Sequence, residues 1–212
     1  VCGCASATGL PATAPKLTFA EVKSEPALDG AAVRKTIVGR IGEGPEAPTV
    51  TVSLWVPAAA KQPVPVLLHV QFFAHQPAAP GKEGPGRFSE DGPIGEFISR
   101  GYAYAVFRYT EIEGDRAETS VTRVRKLALS PGQEKPAPRD WSTISAWSWG
   151  ASRVLDFLAT VPALDAKRVA LIGHSRLGKT ALWAGAMDPR FAVIFASCSG
   201  EMGAALSRRD WG

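Results

Sequence analysis

The sequence predicts an α/β fold: a mostly parallel central sheet with antiparallel strands at its leading edge. Two observations predict it. In the second half of the chain, short apolar runs of strand length alternate with segments of helical spacing, the order of a parallel sheet with right-handed crossovers. At the front, three segments of β-branched alternation follow one another with only turn residues between them, as in an antiparallel run.

The elements follow in order. Residues 5–15 (ASATGLPATAP) are small and proline-rich and read as a loop. Residues 17–23, 33–41 and 50–56 alternate as strands, punctuated by Gly30 and by the turn-rich stretch 42–48. Residues 64–73 (VPVLLHVQFF) form a nearly continuous apolar run, which suits a strand buried on both faces. A Pro/Gly-rich loop at 76–93 and a short helix at 94–100 lead to Gly101 and a second buried strand at 102–109. Residues 110–139 are polar and read as a long surface insertion, of a length that is usually functional or disordered.

A helix is predicted over 141–159, with Ile144, Trp147, Ala151, Val154, Leu155 and Leu158 on one face and Asp140 or Ser142 as its cap. A third buried strand at 167–173, a helix at 176–187 broken by Asp188-Pro189, and a fourth buried strand at 191–196 complete the pattern.

Composition bounds the function. The chain has 212 residues, 45% hydrophobic and 21% charged, which is ordinary for a globular protein and against global disorder. At about 150 residues per domain, this length is one medium domain or a piece of a larger one. The net charge of +4, from 24 Lys+Arg against 20 Asp+Glu, is mild and scattered, so no nucleic-acid partner is indicated. No apolar run reaches the length of a transmembrane helix, so no membrane partner is indicated either. Cys2, Cys4 and Cys198 make an odd count that fits no disulfide framework, and no histidine cluster accompanies them, so no metal is expected. The chain opens at Val1 with no signal-peptide pattern and closes at Trp211-Gly212. The expectation is a single domain over residues 1–212, truncated at the C-terminus and at the N-terminus.

The chemistry lies at Gly173-His174-Ser175-Arg176-Leu177-Gly178-Lys179. A serine on a sharp turn between a buried strand and a helix is a nucleophile elbow, which exposes the hydroxyl above the sheet and aims free helix N–H groups at a developing oxyanion. The usual G-x-S-x-G spacing is not met, because Leu177 stands where the second glycine is expected and Gly178 follows it. The plainer reading is a serine N-cap at a strand-to-helix loop. Arg176 is a cation at a helix N-terminus, where it is disfavoured unless an anion forms beside it. Lys179, one turn on, reads either as a surface charge or as a group that holds a substrate oxygen.

These residues resemble a known family. GHSRLGK followed by TALWAGAMDPRF is similar to the glucuronoyl esterases, carbohydrate esterase family 15, whose signature is G-C/H-S-R-x-G-K. The segments WSTISAWSWG at 141–150 with Ala151-Ser152-Arg153, Ser199-Gly200 with GAALSRR at 203–209, and the strands at 66–73 and 101–109 are similar to the family as well. The resemblance implies a three-layer α/β-hydrolase sandwich and a serine carboxylic ester hydrolase without cofactor or metal. It would cleave glucuronate esters that link xylan to lignin alcohols. It also implies that Ser175 is the nucleophile, that Arg176 assists the oxyanion, and that Lys179 binds sugar hydroxyls. That substrate would be met outside the cell or in the periplasm.

A serine hydrolase also needs a histidine base and an acid. The three histidines, His69, His75 and His174, all precede Ser175. His69 reads as a core histidine, His75, just past that strand, as a lesser candidate for the site mouth, and His174 as diverging from the hydroxyl. Cys198 occupies the position where some members carry the acid glutamate, and Glu201, three residues on, is a lesser candidate for that acid. The expectation is therefore that acid and histidine lie beyond Gly212 and that residues 1–212 alone have negligible activity. Trp147 and Trp149 read as core, with Trp211 a candidate sugar platform. The alternatives are an acetyl-xylan or other carbohydrate esterase, and a non-catalytic glycan-binding relative.

Overall fold

The computed structural model describes residues 15–72, 93–137 and 140–206. Cys2, Cys4, His75, Trp211 and most of the loops expected at 5–15 and 76–93 lie outside these residues.

The strands are β1 (Leu17–Ala27), β2 (Ala32–Ile41), β3 (Thr49–Pro57), β4 (Val64–Gln71), β5 (Ala103–Arg108), β6 (Leu164–His174) and β7 (Phe191–Ser197). They form a 7-stranded sheet in the order β1-β2-β3-β5-β4-β6-β7. β1, β2, β3 and β5 pair antiparallel in turn. β5, β4, β6 and β7 pair parallel. The antiparallel strands thus occupy the leading edge, as the alternation at the front of the chain predicts.

Register explains why the middle strands are apolar throughout. Val66, Leu68 and Val70 of β4 align with Ala103, Ala105 and Phe107 of β5. Val66 and Leu68 also align with Val169 and Leu171 of β6. This face is covered by α4 (Thr143–Leu158) and α5 (Arg176–Met187), whose Trp147, Val154, Leu155, Leu158, Leu177 and Ala181 complete the main core. The opposite face carries Leu67, Tyr104 and Val106, together with Trp55 of β3, and is covered by Ile94 and by Ile98 of the short helix α1 (Gly95–Ser99). Each central strand must therefore be apolar on both sides.

The expectation of a buried strand at 191–196 is corrected. Val193 and Phe195 of β7 are each 57% exposed. They continue the rows of Ala170 and Ile172 on the α1 side of the sheet, where among the described residues no element reaches over β7.

The reading of 110–139 as a surface insertion is also corrected. It holds two single-turn helices, α2 (Tyr109–Ile112) and α3 (Val124–Leu127), and Ile112 and Val124 enter the main core. Its organiser is polar. The buried Glu113 carboxylate accepts hydrogen bonds from the backbone N–H groups of Gly114 at 3.1 Å, Thr122 at 3.2 Å and Arg125 at 2.7 Å. Trp147 of α4 donates its indole N–H to the Glu113 carbonyl at 2.9 Å. Apolar periodicity carries no signal of such a device. Of the two candidate caps for α4, Ser142 serves, its Oγ accepting the Ser145 N–H at 3.1 Å. Asp140 instead accepts from the Ala137 N–H and the Gln133 amide.

Candidate active site

The site begins where β6 ends. Ser175 stands between β6 and α5 with φ 56° and ψ −125°, a left-handed backbone that a non-glycine residue occupies only at a cost of about 1–3 kcal/mol. The surrounding contacts impose it. The Ser175 N–H donates to the Ser197 carbonyl of β7 at 2.8 Å, and its carbonyl accepts from Gly178 at 2.8 Å. A Cβ at position 173 would fall 2.0 Å from the Leu177 carbonyl oxygen, so the chain can double back this tightly only with glycine there.

The displaced second glycine has a physical role of its own. A Cβ at position 178 would lie 2.9 Å from the Ser197 carbonyl oxygen and 3.0 Å from Ser199 Cβ. Gly178 thus lets the first turn of α5 press against the end of β7, while Leu177 points into the core, fully buried.

Around the hydroxyl, the backbone N–H groups of Arg176 and Leu177 make no turn or cap hydrogen bond among the described residues. They are helix-start donors of the kind that an oxyanion recruits. The Ser175 side chain makes no cap hydrogen bond, so the N-cap reading is not what holds this serine. Arg176 Nη1 donates to Asp115 Oδ2 at 2.6 Å, and the Tyr109 hydroxyl donates to the same oxygen at 2.7 Å. The Arg176 guanidinium also lies over the Phe72 ring, with Cζ 6.0 Å from the centroid. Desolvation and the Asp115 carboxylate push the Tyr109 hydroxyl up to about 12, so it remains a donor at physiological pH. Lys179, half-buried on the next turn, points over the backbone after β7, where its Nζ would be 4.0 Å from a Cβ on Gly200. It has no carboxylate partner among the described residues. Ser175, Arg176 and Lys179 therefore share the amino end of α5.

The histidines sit elsewhere. His69 is buried in β4, with Nδ1 2.7 Å from the Tyr104 hydroxyl and 3.1 Å from Gln71 Nε2. Burial, followed by the charge of His174, lowers it to about 4. It is a core histidine, as its strand position predicts. His174 turns its Nδ1 to Ser197 Oγ at 3.1 Å, away from Ser175. Cys198 is an exposed free thiol with φ 46°. Glu201 is exposed in the turn beyond it and makes no hydrogen bond or ion pair with Ser175. Trp147 and Trp149 are buried at 2% and 5% exposure, which fits packing rather than sugar stacking. A cavity of about 200 Å³ between α4 and α5 is lined by Trp141, Trp149, Trp183 and Met187 and does not include the elbow residues.

Sequence reasoning missed Asp115 and Tyr109. Tyr109 closes the strand predicted at 102–109, where it reads as core, and Asp115 lies near the start of the polar insertion, where only the general tendency of long insertions to carry function pointed.

A strained serine at the carboxyl end of a parallel strand, backed by a helix start and preceded by antiparallel leading strands, is the arrangement of an α/β-hydrolase fold. The family model described as "Glucuronyl esterase, fungi" matches residues 93–210. The chain belongs to the glucuronyl esterase family. It is 35% identical over 225 aligned residues to carbohydrate esterase MZ0003 from an unknown prokaryotic organism, covering 93% of this chain and 51% of that protein. A shorter stretch of 64 residues is 44% identical to 4-O-methyl-glucuronoyl methylesterase 1 of Phanerochaete chrysosporium, covering 29% of this chain and 14% of that one. Among solved structures, a glucuronoyl esterase from Solibacter usitatus superposes with a TM-score of 0.85 at 38% identity, covering 98% of this chain and 59% of that one. The chain spans about half the length of the prokaryotic carbohydrate esterase.

Proposed function

We propose that the protein acts as a serine carboxylic ester hydrolase on glucuronate esters that join xylan to lignin alcohols, within a single α/β-hydrolase catalytic domain. The observation that carries this reading is Ser175 held at φ 56° beside helix-start N–H donors, with Arg176 and Lys179 on the same end of α5. In this reading Ser175 Oγ attacks the ester carbonyl. The oxyanion forms against the Arg176 and Leu177 N–H groups and the Arg176 guanidinium. The alcohol leaves, and water releases the uronic acid from Ser175. Lys179, with no carboxylate to hold it, takes a hydroxyl of the sugar ring.

The base that removes the Ser175 proton is not supplied by His69 or His174, because each is engaged on another partner. The relatives named as glucuronoyl esterases support the substrate class. A wall-polymer substrate places the protein outside the cell or in the periplasm, and no helix among the described residues is long and apolar enough to cross a membrane.

The test is hydrolysis of a benzyl glucuronate ester against release of acetate from acetylated xylan by the full-length protein. Cleavage of the uronate ester that disappears in Ser175→Ala supports the reading. Acetate release without uronate cleavage overturns the substrate class.

A further inference from the structure

The elbow presents an electrostatic problem. Arg176 carries its charge at the amino end of α5, where the peptide dipoles already present positive charge. The protein solves it with a residue from a distant part of the sequence. Asp115, from the segment after α2, is only 19% exposed at its side chain and accepts Arg176 Nη1 at 2.6 Å.

Asp115 is itself fixed. The Tyr109 hydroxyl holds the same Oδ2 at 2.7 Å. Tyr109 is buried and packed edge-on against Trp147, with centroids 4.7 Å apart, and against Phe72 at 5.3 Å. Two residues before Asp115, the buried Glu113 ties the loop to Thr122 and Arg125, while Trp147 holds its carbonyl. Gly114, between them, admits no side chain, since a Cβ there would meet the Thr119 carbonyl oxygen at 2.2 Å. The backbone around Asp115 is therefore determined by α4 and by a buried carboxylate.

We propose that Asp115 is a positioning residue: it clamps Nη1 of Arg176 so that the guanidinium stands ready at the Ser175 oxyanion before the reaction begins. This inference rests on the esterase reading of the elbow. Arg176 is half exposed and has several rotatable bonds, so without a clamp it samples many orientations. With Nη1 held by Asp115 and the Phe72 ring beneath Cζ, its Nε and Nη2 donors keep a fixed placement and have no other partner among the described residues. Pre-set donors stabilise a transition state without reorganisation at the moment of charge development. A carboxylate on an arginine also dilutes its charge. The proposal is that the gain in placement outweighs that dilution, and the sign of the mutational effect decides between them.

The experiment is steady-state kinetics on a glucuronate ester with the full-length protein. Asp115→Ala is expected to lower kcat roughly 10- to 100-fold, the scale of misplacing a catalytic group, with KM essentially unchanged. Asp115→Asn, which keeps an acceptor for Nη1 and for Tyr109, is expected to restore most of that loss. In an Arg176→Ala background, Asp115→Ala is expected to cost nothing further, because the residue it positions is gone. Should Asp115→Ala fail to fold by thermal melt, Tyr109→Phe serves instead, with a smaller loss that also vanishes in the Arg176→Ala background.

An unchanged or raised kcat, or the same loss with and without Arg176, overturns the proposal. Labelling of Ser175 by a fluorophosphonate separates it from the substrate reading. If wild type labels but does not cleave uronate esters, and Asp115→Ala slows labelling, the clamp stands and the substrate class falls. A wild-type serine that neither labels nor hydrolyses overturns both.

Discussion

At Ser175 the backbone conformation and the chemistry compete. The left-handed φ of 56° that lifts the hydroxyl above the sheet is a conformation glycine adopts freely. Ser175→Gly is therefore expected to abolish hydrolysis while raising stability by about 1 kcal/mol, whereas Ser175→Ala abolishes hydrolysis without that gain. Thermal melts of the two variants side by side check this. Gly178→Ala is expected to destabilise by roughly 1–3 kcal/mol, because its Cβ must displace the end of β7. His69 gives a pH signature. Its folded-state value of about 4 lies below the ordinary 6.5, so the unfolded chain binds the proton more readily. Its contribution is complete above pH 6.5 and is lost as pH falls towards 4, up to about 3 kcal/mol in all. Urea titrations at pH 7.5 and 4.5 are expected to show a smaller difference in His69→Gln than in wild type. Ser175, Arg176 and Lys179 are legible in the sequence because the elbow is contiguous. Asp115 is not, because 61 residues separate it from Arg176 and only tertiary structure joins them.

The elements divide by what orders them. Strands and long helices ordered by apolar burial were readable from periodicity: β3 and β5 agree with their patterns to within a residue at each end, and α5 begins and ends where Arg176–Met187 predicts. The segment after β5 is ordered by one carboxylate gathering three backbone N–H groups, and polar residues in sequence look the same whether they organise a loop or face water. Glu113→Ala leaves those buried amides without acceptors and is expected to cost about 3 kcal/mol or more. Limited proteolysis between Gly114 and Arg125 is the measurement, with Trp147→Phe opening the same segment to a lesser degree through the loss of one hydrogen bond.

For the whole molecule, the sheet is covered unequally. α4 and α5 seal one face, while on the other α1 reaches only the middle strands and leaves Val193 and Phe195 of β7 in the open. An apolar row on an outer strand favours association between chains. The 212-residue polypeptide by itself is expected to self-associate in sedimentation experiments, and Phe195→Lys is expected to shift it towards monomer. The strand order has a different consequence, in time rather than space. β1, β2 and β3 pair with their neighbours in sequence, but β5 lies between β3 and β4, so that Val52 meets Phe107, and β4 meets β6 at Val66 and Val169. Local hairpins close quickly, and distant pairings wait on the entropy of long loops. The β1–β2–β3 ribbon is therefore expected to close early, and the pairing of β4 with β6, the most widely separated in sequence, is expected to close late, delaying the strand that carries the elbow.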